Sequence, residues 1–160
     1  MDDPAGGRCE RCWRAVVASR READRAEAAR HTGLPAWVVA ALAADPSPLV
    51  RAEIAERPDL PDEVIGALAD PGAERHPTVL RRIARHPRLC SHARRLIHTE
   101  DVHALRHVAQ NPGCPDDALR LLAQHPDRLV HQRARARLMA VGLDDEQRRR
   151  LPVGLRHLLA

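Results

Sequence analysis

Ile83-Ala84-Arg85-His86-Pro87 decides the fold, because the same order of residue types keeps returning along the chain. An aliphatic residue, Ala, two variable residues and Pro recur as Leu42-Ala43-Ala44-Asp45-Pro46, Ile54-Ala55-Glu56-Arg57-Pro58, Val108-Ala109-Gln110-Asn111-Pro112 and Leu122-Ala123-Gln124-His125-Pro126. Leu68-Ala69-Asp70-Pro71 is a shortened copy. A residue before Pro is pushed out of helical geometry, so each copy ends a helix whose last turn packs through an aliphatic knob and a small Ala.

The terminators have matching starts. Leu34-Pro35, Leu60-Pro61-Asp62-Glu63, Leu89-Cys90-Ser91 and Cys114-Pro115-Asp116-Asp117 follow one another at intervals of 26, 29 and 25 residues. A further start, Leu143-Asp144-Asp145-Glu146, comes 29 residues after the last of these and lacks Pro. Pro is tolerated at the first helical position, and carboxylates there meet the positive end of the helix dipole. Apolar residues at helical spacing lie between starts and stops, as at Val64 and Leu68 or Ala118 and Leu122, so each unit holds two short helices. A unit of that size cannot bury its apolar faces alone, and stacking is obligatory. The expected fold is all-α: an α-solenoid.

Composition agrees with a thin core. The 160 residues contain no Phe, no Tyr and only Trp13 and Trp37, leaving Leu, Ala, Val and Ile to fill the interior. Thirteen Pro residues forbid long helices. All 26 basic residues are Arg, which reflects a GC-rich genome as readily as selection for guanidinium chemistry. Their distribution says more: residues 1–74 carry a formal charge of −5 and residues 75–160 carry +9, so a charged partner is expected. No stretch is apolar for long enough to span a membrane and the first residues are acidic, so the chain reads as cytoplasmic, with no membrane partner.

These repeats resemble the variant leucine-rich repeat family, in which an aliphatic-Ala-x-x-Pro segment precedes a Leu-Pro-x-x-Leu-x-x-Leu-Ala segment. Val50 to Ala69 and Val102 to Ala123 fit best, and the likeness covers about residues 31–143. The resemblance implies alternating α- and short 3₁₀ helices wound into a right-handed superhelix without strands. The chain departs from the pattern around residues 70–80 and 98–101, where extra residues enter and Thr99-Glu100 replaces the expected Pro. Residues 1–30 read as a Cys-containing segment with a capping helix, residues 31–143 as the repeats, and residues 144–160 as C-terminal capping helices.

Two constellations could carry chemistry. Cys9-Glu10-Arg11-Cys12 puts two thiols three residues apart, able to face one metal ion but forming only half a site. The family's founding example holds a four-iron cluster on cysteines before its repeats, so the resemblance implies an iron–sulfur cluster, or zinc, at Cys9 and Cys12. Completion would need His31 or a second chain; the bland reading is two surface thiols. Cys90 and Cys114 belong to later units, Cys114 replacing a core Leu.

The second constellation runs from Arg75 to His98. Arg75, Arg81, Arg82, Arg85, Arg88, Arg94 and Arg95 occur there with four His residues and no Asp or Glu. Such guanidinium groups suit an acidic protein partner or a nucleic-acid backbone, although without aromatic residues base stacking is disfavoured. The alternative is a solvated helix face. His103 and His107, four apart with Asp101 nearby, have no nameable third ligand and read as solvated or capping groups. Arg133, Arg135 and Arg137 alternate with Ala, but between helical units they read as one helix with a wide basic face and Leu138 inward. No nucleophile elbow, phosphate-cradling Gly loop or paired catalytic carboxylates are found, so the expected function is a non-catalytic adaptor.

Overall fold

A computed structural model of the protein describes residues 9–140, the side chain of Ser91 excepted. The expected capping helices at 144–160 lie outside the described residues, as do residues 1–8 and the last three residues of the repeat region. Among the described residues there are ten short α-helices and no strand. They are α1 (Glu10–Val17), α2 (Glu22–Ala29), α3 (Ala36–Ala43), α4 (Pro48–Ala55), α5 (Asp62–Leu68), α6 (Pro77–Ile83), α7 (Ala93–Leu96), α8 (Val102–Gln110), α9 (Asp116–Leu122) and α10 (Arg128–Ala140).

Packing follows alternation along the chain. The even-numbered helices form one row in which α2 packs on α4, α4 on α6, α6 on α8 and α8 on α10. The odd-numbered helices form a second row beside it, with α1 on α3 and α3 on α5. Units touching only neighbours in two rows make an α-solenoid.

The terminators end helices in both rows, at Ala43, Ala55, Leu68, Ile83, Gln110 and Leu122. Pro takes two roles at the starts. The expected starts Pro35, Pro61 and Pro115 do not occupy the first helical position but sit one residue earlier with extended backbone, their carbonyls accepting the first helical bonds, whereas Pro48 and Pro77, not read as starts, occupy the first turn. At Cys90, which stands where those prolines stand, the preceding Leu89 is already helical and the start tightens into a 3₁₀ turn, Cys90–His92. It is the one 3₁₀ element among the described residues; elsewhere both rows are α-helical.

The core is a continuous seam between the rows. Val50, Ile54, Val79, Ile83, Leu105 and Val108 enter it from the first row, and Leu42, Ile65, Leu68, Leu96 and Leu119 from the second. The start residues Leu60 and Leu89 are fully buried and Cys114 nearly so, confirming Cys114 as a small core residue. Ala55, Ala69, Ala84 and Ala109, the second residues of the terminators, are also buried, and their small size lets neighbouring helices approach closely. Trp13 and the α2 alanines close the N-terminal end.

Two polar ladders run along this seam. In the first, an acidic residue just ahead of each first-row helix pairs with an Arg of the preceding one: Arg25 with Asp45, Arg51 with Glu74, Arg81 with Asp101 and Arg106 with Asp127, at 2.6, 2.5, 3.0 and 2.7 Å. Each carboxylate also accepts a backbone N–H at the start of its own helix or the turn leading into it, from Ser47, His76, Ala104, and Leu129 with Val130. One group therefore shapes a helix start and fixes the distance to the neighbour.

The second ladder uses the residue that precedes Pro. Arg57 donates to the carbonyls of Ala29 and His31, His86 Nε2 meets the Arg57 carbonyl at 2.9 Å, and Asn111 donates to Ala84 and His86, both at 2.9 Å. Arg137 extends the series to Gln110 and Pro112. Carbonyls at the end of one helix are thus satisfied by the next unit. His86 Nδ1 and Asn111 Oδ1 in addition accept N–H groups two residues ahead, holding the turn through Pro.

Candidate functional site

The stretch from Arg75 to His98 is acid-free in sequence but not in space. Arg81 is held by Asp101, and Arg82 by Glu53 at 3.3 Å and Glu56 at 3.1 Å. Arg94 pairs with Asp117. Arg88 donates to the Leu60 carbonyl and Arg95 to that of Gly66, tying this unit to the second row of the one before. His92 lies 3.2 Å from the Asp62 carboxylate. These residues are largely fastened into joints between units.

Arg75 and Arg85 stand apart. Arg75 is exposed, has no ion-pair partner among the described residues, and lines a groove of about 820 Å³ between the starts of α6 and α8, with Leu80, Val102, His98 and His103. The groove lies where the repeat departs from its pattern, since Pro71 and Thr99-Glu100 are also on its walls. Arg85 points its guanidinium at His107 of α8, with Nη2 at 2.9 Å and Nε at 3.2 Å from the ring Nε2. That nitrogen must be the acceptor, so His107 is neutral in this arrangement.

The His107 surroundings are cationic. Burial first, then the charges of Arg85, Arg133, His103 and Arg81, push its pKa below the ordinary value. Arg133 of α10 donates to the Arg106 carbonyl, while its Nε is buried without a hydrogen-bonding partner among the described residues. Burial and then neighbouring Arg106 lower the Arg133 pKa as well, with Asp127 opposing them. Arg133, Arg135 and Arg137 do lie on one helix, with Leu138 packed against the core, as the sequence implied.

The matching position on the other side of α6 is quite different. Glu53 of α4 lies between Arg30 at 2.9 Å and Arg82 at 3.3 Å. The hydrogen bonds from Arg30 hold its carboxyl below the ordinary value; burial opposes this and Arg82 reinforces it. Alternation of sign along the first row, Arg30, Glu53, Arg82, therefore stops at His107, beyond which comes Arg133. Sequence reading missed His107 in this role because nothing local distinguishes it from a solvated helix-face histidine.

At the N-terminus, Cys9 precedes α1 and Cys12 lies in its first turn, with their sulfurs 3.0 Å apart and largely open to solvent. Hydrogen bonding from Cys12 lowers the Cys9 thiol pKa. Among the described residues no group of three His, Cys, Asp or Glu that could hold a metal forms, so the two thiols do not by themselves fit a four-ligand cluster or zinc set. His31, the one nearby candidate, lies edge-on against Trp13 with ring centroids 5.7 Å apart. Cys90 and Cys114 are neighbours in a distant unit, and burial pushes the Cys114 thiol up to about 12.

Fold and site together describe a helical-repeat protein with a cationic face. No protein-family profile matches the chain, and no curated protein or solved structure is significantly similar to it. Among the described residues, no helix is long and apolar enough to cross a membrane.

Proposed function

We propose that this chain is a non-catalytic repeat scaffold of the variant leucine-rich repeat kind, acting in the cytoplasm and holding an acidic protein partner on its first helix row. The observation that carries the reading is the pair of guanidinium groups, Arg85 and Arg133, that form no ion pair among the described residues and lie beside neutral His107, with exposed Arg75 near the start of α6 and exposed Arg135 on α10. A surface in which acid and base alternate over α2 to α6 and which then gains guanidinium groups without ion-pair partners among the described residues favours an acidic surface in one register.

A nucleic-acid backbone is the weaker fit. Neutralising a series of phosphates needs several free guanidinium groups in a row, and Arg81, Arg82 and Arg94 are already paired within the protein. Charge reversal at Arg81 or Arg82 would break joints, so a binding test must avoid them.

The test is fluorescence anisotropy with a labelled glutamate-rich peptide and with a DNA duplex of matched charge, at ~0.15 M salt. Combined Arg75→Glu, Arg85→Glu and Arg135→Glu should abolish peptide binding and leave the helical circular dichroism unchanged. Duplex binding alone, or peptide binding indifferent to the three changes, would overturn the reading.

A further inference from the structure

The Arg85 guanidinium presents two N–H groups side by side, the geometry that ordinarily grips a carboxylate. Elsewhere in this molecule such a fork meets one: Arg25 on Asp45, Arg51 on Glu74, Arg30 on Glu53 and Arg106 on Asp127 all use Nε and Nη2 together. Arg85 makes the same approach with the same two nitrogens, but onto a neutral imidazole, the weaker of the two partners for a cation. Arg133 stands on the far side in α10 with a buried Nε lacking an acceptor among the described residues.

We propose that the cluster of Arg85, His107 and Arg133 is the seat of one carboxylate of the partner, and that His107 takes up a proton when the carboxylate arrives. The proposal rests on the reading above and specifies where, and under what control, the acidic partner is gripped. Without the carboxylate, the charges acting on His107 are those of Arg81 and Arg85 from α6 and its turn, Arg133 from α10 and His103 from α8 itself, while the carboxylates of the packed elements are engaged elsewhere, Asp101 with Arg81, Asp127 with Arg106 and Asp117 of α9 with Arg94, and Asp116 is exposed. Burial and these four charges oppose a proton on the ring. A carboxylate seated between Arg85 and Arg133 supplies the missing negative charge, releases the Arg85 fork from the ring nitrogen and turns His107 into a third donor. The only covalent change is one N–H bond formed at Nε2, its proton coming from the acid form of the buffer, which is left as its conjugate base. Affinity should therefore rise as pH falls through the histidine range while partner carboxylates stay ionised.

The experiment titrates the full chain with a labelled glutamate-rich peptide between about pH 8 and 5.5, with proton uptake followed by calorimetry in two buffers. Affinity should increase about tenfold across that range, as a shift of one pKa unit in His107 requires. His107→Asn should keep the affinity seen at high pH and lose the increase, and Arg85→Ala should weaken binding throughout. NMR of the folded protein gives a second readout: the His107 ring should titrate below an ordinary histidine in chloride buffer and move upward with peptide. If no peptide binds at any pH, the acidic-partner reading fails and this seat with it. If peptide binds with Arg85→Ala as with the parent, or without proton uptake at His107, the seat is wrong while the wider reading stands.

Discussion

The joint between α4 and α6 and the joint between α6 and α8 are built alike and end differently. Both bury an aliphatic and alanine seam, both carry an Arg–carboxylate rung, and both carry a rung from the residue preceding Pro to the carbonyls behind it. They part at one column along the first row, where α4 offers Glu53 and α8 offers His107. What repeats between them is what stacking requires. What differs is free to serve something other than stacking, and it is there that positive charge accumulates.

The deepest break should come from the shared rungs. Asn111→Leu removes two donors to the Ala84 and His86 carbonyls and the acceptor for the Gly113 N–H, all in a buried place. Leaving such groups unsatisfied costs about 1–3 kcal/mol each at the upper end, so a loss of about 3 kcal/mol in urea denaturation is expected. A loss below about 1 kcal/mol would show that this rung does not hold the joint.

Next comes the column that differs. Glu53→Gln removes the charge between Arg30 and Arg82; because Arg30 is more than half exposed, solvent shares the load, and about 1–2 kcal/mol is expected. The pH dependence separates Glu53 from the histidines. For Glu53 the folded-state pKa lies below the ordinary 4.5, so its contribution is complete above that value and disappears as pH drops further. For His86 and His107 the folded-state pKa lies below the ordinary 6.5, chiefly through burial, so the unfolded chain binds more protons and stability declines from near pH 6.5 downward. Thermal melts should show both phases, and His107→Gln should diminish only the upper one, leaving the His86 share. The smallest effect belongs to an exposed pair outside both ladders: Arg94→Ala, which breaks the contact with Asp117, should change stability by no more than about 0.5 kcal/mol.

Much of the architecture was legible because it is written in local chemistry. Pro with the residue before it, the Ala two places earlier and the carboxylates of the starts all act within one helix, so helix ends and two-helix units could be read directly. The ladders could not. Arg25, Arg51, Arg81 and Arg106 meet acids 20, 23, 20 and 21 residues later, an interval that shifts with each insertion and leaves no fixed motif. For the same reason the segment from Arg75 to His98 looked bare: its neutralising groups, Glu53, Glu56, Asp101 and Asp117, all come from outside it. The cysteine pair was visible as a pair, and the helix start that brings the sulfurs together follows from its spacing. Its partners in any larger ligand set were never present in the local sequence.

The most direct test makes the second joint resemble the first. In His107→Glu the alternation of Arg82 and Arg133 about a carboxylate would continue through α8, and Arg85 would close on an acid as Arg30 does on Glu53. The account predicts a protein that melts higher than the parent and no longer binds the glutamate-rich peptide. A variant that melts lower, or that binds the peptide as tightly as before, would contradict it.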